Sequence, residues 1–231
     1  MLDKIFYINL DRRKDRNDHF LNQCLNHDVP LDKVERYQAI DGLTYVFSDE
    51  EKDLFHQNVH KSQFSKKLMG NQLSHLYIMK LMIERGYDKI LISQDDAIFR
   101  EGFYDDLTMK LLPQIPSNAE FIFIGFHKTA NMATSVPMNL DSCENDEKKM
   151  CKRSVNSEVC VLQDSINPCS LAYIITREGA RKYIEHFQNV GFEFATDHCM
   201  NDYLKSKNIF YGSSKIFITG NPRLGSDIFC I

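Results

Sequence analysis

Lys89-Ile90-Leu91-Ile92-Ser93-Gln94-Asp95-Asp96-Ala97-Ile98-Phe99 is the stretch on which the reading of this chain turns. An apolar run meets two adjacent acids and then turns apolar again. Such a run reads as a buried strand, because a central parallel strand is greasy on both faces. Asp95 and Asp96 then stand at its carboxyl end, where open α/β sheets place their ligand sites. Two carboxylates held close together and partly out of water call for a compensating cation. The physical expectation is a divalent metal at a strand end, carrying a phosphorylated ligand. The same residues also describe an acidic turn after a core strand, and the stretch alone does not separate the two.

Working outward toward the amino terminus, Lys4 to Leu10 reads as a buried first strand. It runs into Asp11-Arg12-Arg13-Lys14-Asp15-Arg16, and Phe20, Leu21, Cys24 and Leu25 then follow at helical spacing, which predicts a helix packed on the sheet. Three guanidiniums just past a strand end suit phosphates or a ribose, although a solvated helix end has the same composition. Val34 to Ile40 reads as a second strand closed by the Asp41-Gly42 turn. Strand, helix and strand make a βαβ unit and predict a parallel sheet. Ser48, with Glu51 at the capping-box position, predicts a polar helix from Asp49 to Val59. Gly70 opens a longer helix whose apolar face runs from Leu73 to Ile83 until Gly86 stops it. His75 lies one turn inside that helix. Histidines there are commonly structural, yet its place just ahead of the acidic strand makes it a candidate for a site wall.

Beyond the acids, Glu120 to Phe126 reads as a further central strand. A polar segment then extends to about Ser165. Structureless loops above about 15 residues are functional or disordered, so 127–165 is expected to be a mobile active-site insertion, with a short hairpin at Glu158 to Leu162. Leu171 to Ile175 reads as a strand, and Thr176 caps a helix from Arg177 to Phe187. Phe194 to Met200 opens another helix, in which Thr196 or Asp197 serves as cap or Asp197 presents a base. Lys215 to Ile218 reads as the last strand.

The bulk numbers bound the class. A chain of 231 residues with 43% hydrophobic and 26% charged residues suits a globular domain with a real core. A formal net charge of −4 argues against a general nucleic-acid binder. No run approaches the roughly 20 apolar residues that span a bilayer. The opening Met1-Leu2-Asp3-Lys4-Ile5 has no signal-peptide layout, so the expectation as written is a cytoplasmic protein, with a secretory lumen only if the chain belongs to a longer one. The seven cysteines include no C-x-x-C pair. Free thiols are the default expectation, with a disulfide or metal staple between Cys143 and Cys169 as the rarer alternative.

Four blocks, in order along nearly the whole chain, carry a resemblance. Phe6 to Arg13 with Asp15-Arg16 is similar to an "INLDRRxDR" opening. Gly70 through Ser74-His75 is similar to "GCxxSH", with Asn71 in the cysteine position. Gln94-Asp95-Asp96 stands in place of "EDD". Cys169 to Tyr183 is similar to "YxxSxxGAxK", with Thr176 in the serine position. The chain resembles glycosyltransferase family 25, which holds lipooligosaccharide sugar transferases and collagen β-galactosyltransferases. The resemblance implies an α/β, GT-A-like, nucleotide-sugar-binding fold with a mainly parallel central sheet flanked by helices, filling residues 1–231 as one glycosyltransferase domain.

It further implies a metal-dependent, inverting transfer of galactose or glucose from a UDP-sugar to a hydroxyl on a glycan or a hydroxylysine. In this reading Mn²⁺ or Mg²⁺ sits on Asp96, with Asp95 as a second ligand or a bridge to the ribose. Asn9, Arg12, Arg13, Arg16, Ser74, His75 and Gln94 line the nucleotide side. Asp197 is the first candidate for the base and His198 the second. A homodimer is allowed. Gln94 is the main departure, because an amide can meet a ribose hydroxyl but brings no charge to a metal. The rival readings are a catalytically silent sugar-nucleotide-binding or interaction module of the same fold and, more weakly, a dinucleotide oxidoreductase. The latter lacks G-x-G-x-x-G after the first strand.

Overall fold

The computed structural model describes residues 1–56, 63–126, 150–164, 169–225 and 227. A central eight-stranded sheet organises them, in the order β2-β1-β3-β8-β5-β9-β7-β6. Its strands are β1 (Lys4–Asn9), β2 (Val34–Gln38), β3 (Lys89–Gln94), β5 (Phe121–Phe123), β6 (Cys151–Ser154), β7 (Val159–Leu162), β8 (Ala172–Thr176) and β9 (Tyr211–Ser213). A separate antiparallel pair joins β4 (Ala97–Phe99) to β10 (Ile218–Gly220).

The expected βαβ unit is present: β1 lies between β2 and β3 and is parallel to both. The expectation of a mainly parallel sheet is corrected beyond that point. β8 enters the centre antiparallel to both β3 and β5, and β7 is antiparallel to β9 and β6. The sheet is therefore mixed. The apolar runs gave burial correctly, but a run greasy on both faces does not state its direction.

Alternation along the strands divides the core in two. Ile5, Tyr7, Leu91, Ile122 and Ile174 face the side covered by α1 (Lys14–Asn26), packing with Phe20, Cys24, Phe99 and Phe103. Phe6, Ile8, Ile90, Ile92, Phe121 and Tyr173 face the other side. That side is covered by α3 (Gln63–Glu84), α5 (Arg177–Val190) and α6 (Thr196–Ser206). Two shorter helices complete the set, α2 (Asp49–Asp53) and the turn α4 (Phe103–Asp105), which runs on into a π-helical stretch over Asp106–Leu111.

Several local expectations hold. Ser48 and Glu51 form the full capping box of α2, and Thr176 accepts from Gly179 N to cap α5. Ala180, Tyr183, Ile184 and Phe187 form the buried stripe of α5. Others shift. α2 ends at Asp53, and the part of the expected helix at 57–59 lies outside the described residues. α3 begins at Gln63, seven residues before Gly70. Leu25 of α1 is exposed. α6 starts after Ala195, which has no side chain able to cap it, and the Thr196 hydroxyl donates to Asn71 Oδ1 at 2.7 Å. The strand expected at Lys215 to Ile218 is displaced to β10, and β9 precedes it.

The expected insertion also changes character. Residues 127–149 and 165–168 lie outside the described residues, but β6 and β7 form a hairpin that extends the sheet through β9. This includes the hairpin expected at Glu158 to Leu162. Cys151 and Cys160 are joined in a disulfide across it, Cα atoms 5.7 Å apart, against the default of free thiols. The hairpin brings the two cysteines opposite each other, within the reach that disulfide geometry requires. Cys24 and Cys199 are free thiols.

Candidate active site

The carboxyl ends of β1, β2 and β3 form one edge of the sheet, and β8, running the other way, brings its beginning to the same edge. Ser93 pairs with Ala172, and Gln94 N donates to Leu171 O at 2.8 Å. Asp95 and Asp96 make the turn between β3 and β4.

Asp95 is 4% exposed and both its oxygens are engaged. Asn9 Nδ2 donates to Oδ2 at 2.7 Å, and Arg16 donates to Oδ1 at 2.7 Å. Arg16 is itself buried. A buried charge is tolerated when it is paired, and here each ion makes the other affordable. Burial pushes the Asp95 carboxyl upward, while Arg16 and Asn9 pull it back toward the ionised form. Asn9 is oriented in turn by Arg36, which donates to its Oδ1 at 2.8 Å.

Asp96 is differently placed. Arg16 lies 3.7 Å from its Oδ2, and its Oδ1 is buried with no hydrogen-bond partner. Buried acceptors without partners are rare in folded proteins. An oxygen of this kind fits a hard cation or a ligand hydroxyl. Each Asp95 oxygen already accepts a hydrogen bond, so Asp96 Oδ1 is the more open of these carboxylate oxygens. Among the described residues no group of three or more His, Cys, Asp or Glu side chains is placed to hold a metal. Mg²⁺-like ions bound with a substrate phosphate need only one or two carboxylates, so Asp96 alone meets the minimum.

Arg12 and Arg13 reach the same region through Asp227. Arg12 lies 2.5 Å from Asp41 and 2.9 Å from Asp227. Arg13 is paired bidentately with Asp15, at 2.9 and 2.8 Å, and also binds Asp227. Asn9, Arg16, Asp95 and Asp96 are thus in contact, with Arg12 and Arg13 at their margin.

The other sequence candidates lie on the opposite face of the sheet. His75 is fully buried, its Nδ1 2.8 Å from the Tyr173 hydroxyl and its Nε2 3.3 Å from the Gln94 amide nitrogen. With that amide donating, the imidazole keeps its proton on Nδ1 and donates it to Tyr173. Burial pushes the His75 pKa down to about 3. Gln94 therefore holds a neutral histidine rather than extending the acid pair. Ser74 is fully buried and does not reach the acids: its hydroxyl donates to Gly70 O at 2.7 Å and accepts from Ile40 N at 2.9 Å.

Asp197 lies in the first turn of α6, and its charge helps to raise the pKa of Cys169, which burial alone already lifts. Cys169 precedes β8, so Asp197 belongs to the same edge as the acids. His198 beside it is exposed, with its ring 6.3 Å from that of Phe194. Asp227, Asp41, Arg36 and Tyr173 were not singled out from the sequence. Asp41 was visible only as a turn residue, and Arg36 only as one letter of a strand.

A parallel βαβ edge ends in an acid pair, backed by a buried arginine and flanked by further guanidiniums, in an α/β protein with a mixed central sheet. The family model of glycosyltransferase family 25 (LPS biosynthesis protein) matches residues 2–200. The chain belongs to that family. It is also similar to the mouse and human proteins named procollagen galactosyltransferase 2, 27% identical to each over 191 residues, which covers 79% of this chain. The alignment covers 27% of each relative, so this chain spans about a quarter of their length. Among the described residues no helix is long and apolar enough to cross a membrane.

Proposed function

We propose that this chain is a metal-assisted glycosyltransferase of GT-A-like architecture that moves a hexose from a UDP-sugar to a hydroxyl acceptor. Family membership supports the reaction class, and the names of the two mammalian relatives support galactose as the sugar and a procollagen-like acceptor. The observation that carries the reading is Asp96, whose buried Oδ1 lacks a partner beside an arginine cluster at the strand ends.

Each residue has a physical task in this reading. Asp96, whose buried Oδ1 lacks a partner, would hold Mn²⁺ or Mg²⁺. When bound, the ion acts as a Lewis acid on the charge that builds on the leaving diphosphate. Asp95 fixes Arg16, so a guanidinium is pre-oriented at the strand ends before the donor arrives. Fixed cations facing developing negative charge lower the barrier because nothing has to reorganise. Arg12 and Arg13 bind the diphosphate, and Asn9, steadied by Arg36, meets the nucleoside side. For inversion a base must take the acceptor proton on the face away from the leaving group. Asp197 is assigned that role, with His198 second.

The test is hydrolysis and transfer with UDP-galactose, UDP-glucose and UDP-N-acetylglucosamine, with and without Mn²⁺. Asp96→Ala is expected to abolish metal-dependent donor turnover, and near-normal turnover would refute the metal assignment. One observation favours a second reading, a silent sugar-nucleotide-binding module: both oxygens of Asp95 are already engaged, leaving a single carboxylate for the ion. UDP binding that ignores metal, with no turnover of any UDP-hexose, would select that alternative.

The disulfide Cys151–Cys160 is of a kind that persists in oxidising compartments. It supports a secretory lumen over the cytoplasm as the place of action.

A further inference from the structure

Asp227 is the one carboxylate shared by all three arginines that follow β1. Arg12 binds its Oδ1 at 2.9 Å, Arg13 binds its Oδ2, and Arg16 lies 3.8 Å from the same Oδ2. The other acids nearby are divided among them, with Asp41 on Arg12, Asp15 on Arg13 and Asp95 on Arg16. The backbone leading to Asp227 is held by the same guanidiniums. Arg13 donates to Leu224 O at 2.9 Å, and Arg16 donates to Gly225 O. Asn221 N donates to Asp96 O at 2.7 Å, which sets the start of this strap directly against the acid turn.

Despite these contacts the cluster is not saturated. Arg16 is 6% exposed, and its Nε is buried with no hydrogen-bond partner. Asp96 Oδ1, on the neighbouring turn, is in the same condition. Arg16 Nε is thus an unsatisfied donor beside a carboxylate that three guanidiniums share, each of them also paired with an acid of its own. A diphosphate brings more charge and more acceptor oxygens to the same place, and arginine matches phosphate in the same forked geometry as carboxylate.

We infer that Asp227 is a resident anion, occupying the diphosphate site of Arg12, Arg13 and Arg16, and that the strap from Asn221 to Gly225 must give up this contact for the donor to bind. The inference rests on the transferase reading for the identity of the incoming anion. Its physical content is independent of that reading: an internal carboxylate competes with an external polyanion. The apparent affinity for such an anion is the intrinsic one reduced by the fraction of molecules in which the site is open. The strap thus sets how much donor is needed to open the site.

The experiment is titration calorimetry of the full chain with inorganic pyrophosphate and, separately, UDP, in the wild type and in two variants. Asp227→Asn removes the competing charge and is expected to bind pyrophosphate about tenfold tighter. Gly225→Ala keeps Asp227 but strains the strap, because Gly225 has φ +67° with nothing within 4 Å of an added Cβ. It is expected to change affinity in the same direction by a smaller factor. Should Asp227→Asn be destabilised by losing its ion pairs to the three guanidiniums, pyrophosphate should raise its Tm more than that of the wild type. Equal or weaker pyrophosphate affinity in Asp227→Asn, or a Tm gain no larger than the wild type's, overturns the inference. Donor turnover separates the two claims. A wild type that turns over a UDP-hexose, with pyrophosphate affinity unmoved in Asp227→Asn, overturns the resident anion alone. Tighter pyrophosphate binding with no turnover of any UDP-hexose keeps the resident anion and overturns the transferase.

Discussion

Gln94 and Asp95 are adjacent in sequence but work on opposite faces of the sheet, and that separation decides what each substitution does. Asp95 lies on the α1 face with Asn9 and Arg16, whereas Gln94 meets His75 among the residues packed under α3. His75 takes a proton near 6.5 when unfolded, but in the fold burial lowers its pKa to about 3. Between those values the unfolded chain holds the extra proton. The contribution of His75 to stability is therefore complete above about pH 6.5 and is lost as the pH falls toward 3. The slope is at most about 1.4 kcal/mol per pH unit. Urea unfolding at pH 7, 6, 5 and 4 should show wild-type stability falling more steeply than that of His75→Gln; equal slopes would remove the buried neutral histidine. Gln94→Glu places a carboxylate against His75 Nε2, which favours the imidazolium and should flatten the same profile. Because the substitution lies across the sheet from Arg16, donor turnover in Gln94→Glu should change by less than about tenfold, a scale on which one factor of ten is roughly 1.4 kcal/mol.

At the scale of elements, the site is set by a crossing the sequence showed only in part. The loop after β2 passes over α3 so closely that a Cβ on Gly70 would lie 2.4 Å from Ile40 O, and one on Gly42 would lie 1.8 Å from Lys66 O. Ser74 fastens the same crossing through Ile40 N. This contact sets where Asp41 stands, and Asp41 in turn holds Arg12. Gly70→Ala sets a helix-propensity gain of about 1 kcal/mol against overpacking on rigid backbone, which costs about 1–3 kcal/mol and can exceed that. The obstacle is a carbonyl rather than the end of a flexible side chain, so the clash should win. Denaturant titration is expected to show net destabilisation, and a stabilised variant would show that the loop yields freely. The "GCxxSH"-like block was legible because Gly70 and Ser74 are fixed by a backbone crossing. What they cross was not legible, since the partner lies 30 residues away in sequence and is marked only by Asp41-Gly42. The direction of β8 was hidden for a related reason. The chain between β5 and β8 passes through the β6–β7 hairpin, and a polar composition gave little sign that its residues would pair at a sheet edge.

Over the whole molecule, polarity along the strands places function at one end. Loops after β1, β2 and β3, the start of β8 and the strap after β10 meet at the acid turn, while the β6–β7 hairpin extends the far edge of the sheet. The parallel half was readable from its βαβ pattern, and Asp95, Asp96 and the arginines lie at its strand ends as that pattern requires. Asp227 was not readable, because nothing local in a polar turn says that three side chains from residues 12 to 16 converge on it. This layout makes a prediction about where ligand is felt. Amide hydrogen exchange with UDP and Mn²⁺ should slow at residues 9–16, 39–41 and 94–97, where binding orders groups around the acid turn. The strap from Asn221 to Gly225 should instead exchange faster on binding, if Asp227 leaves its arginines to make room for the diphosphate. Val159 to Leu162 should change little, since three strands separate them from β3 in the sheet order. Protection centred on the hairpin, with the acid turn unaffected, would move the binding site to the other edge and would undo the assignment of Asp96. Protection at the acid turn together with a slower strap would keep the site and show that Asp227 stays in place beside the bound nucleotide.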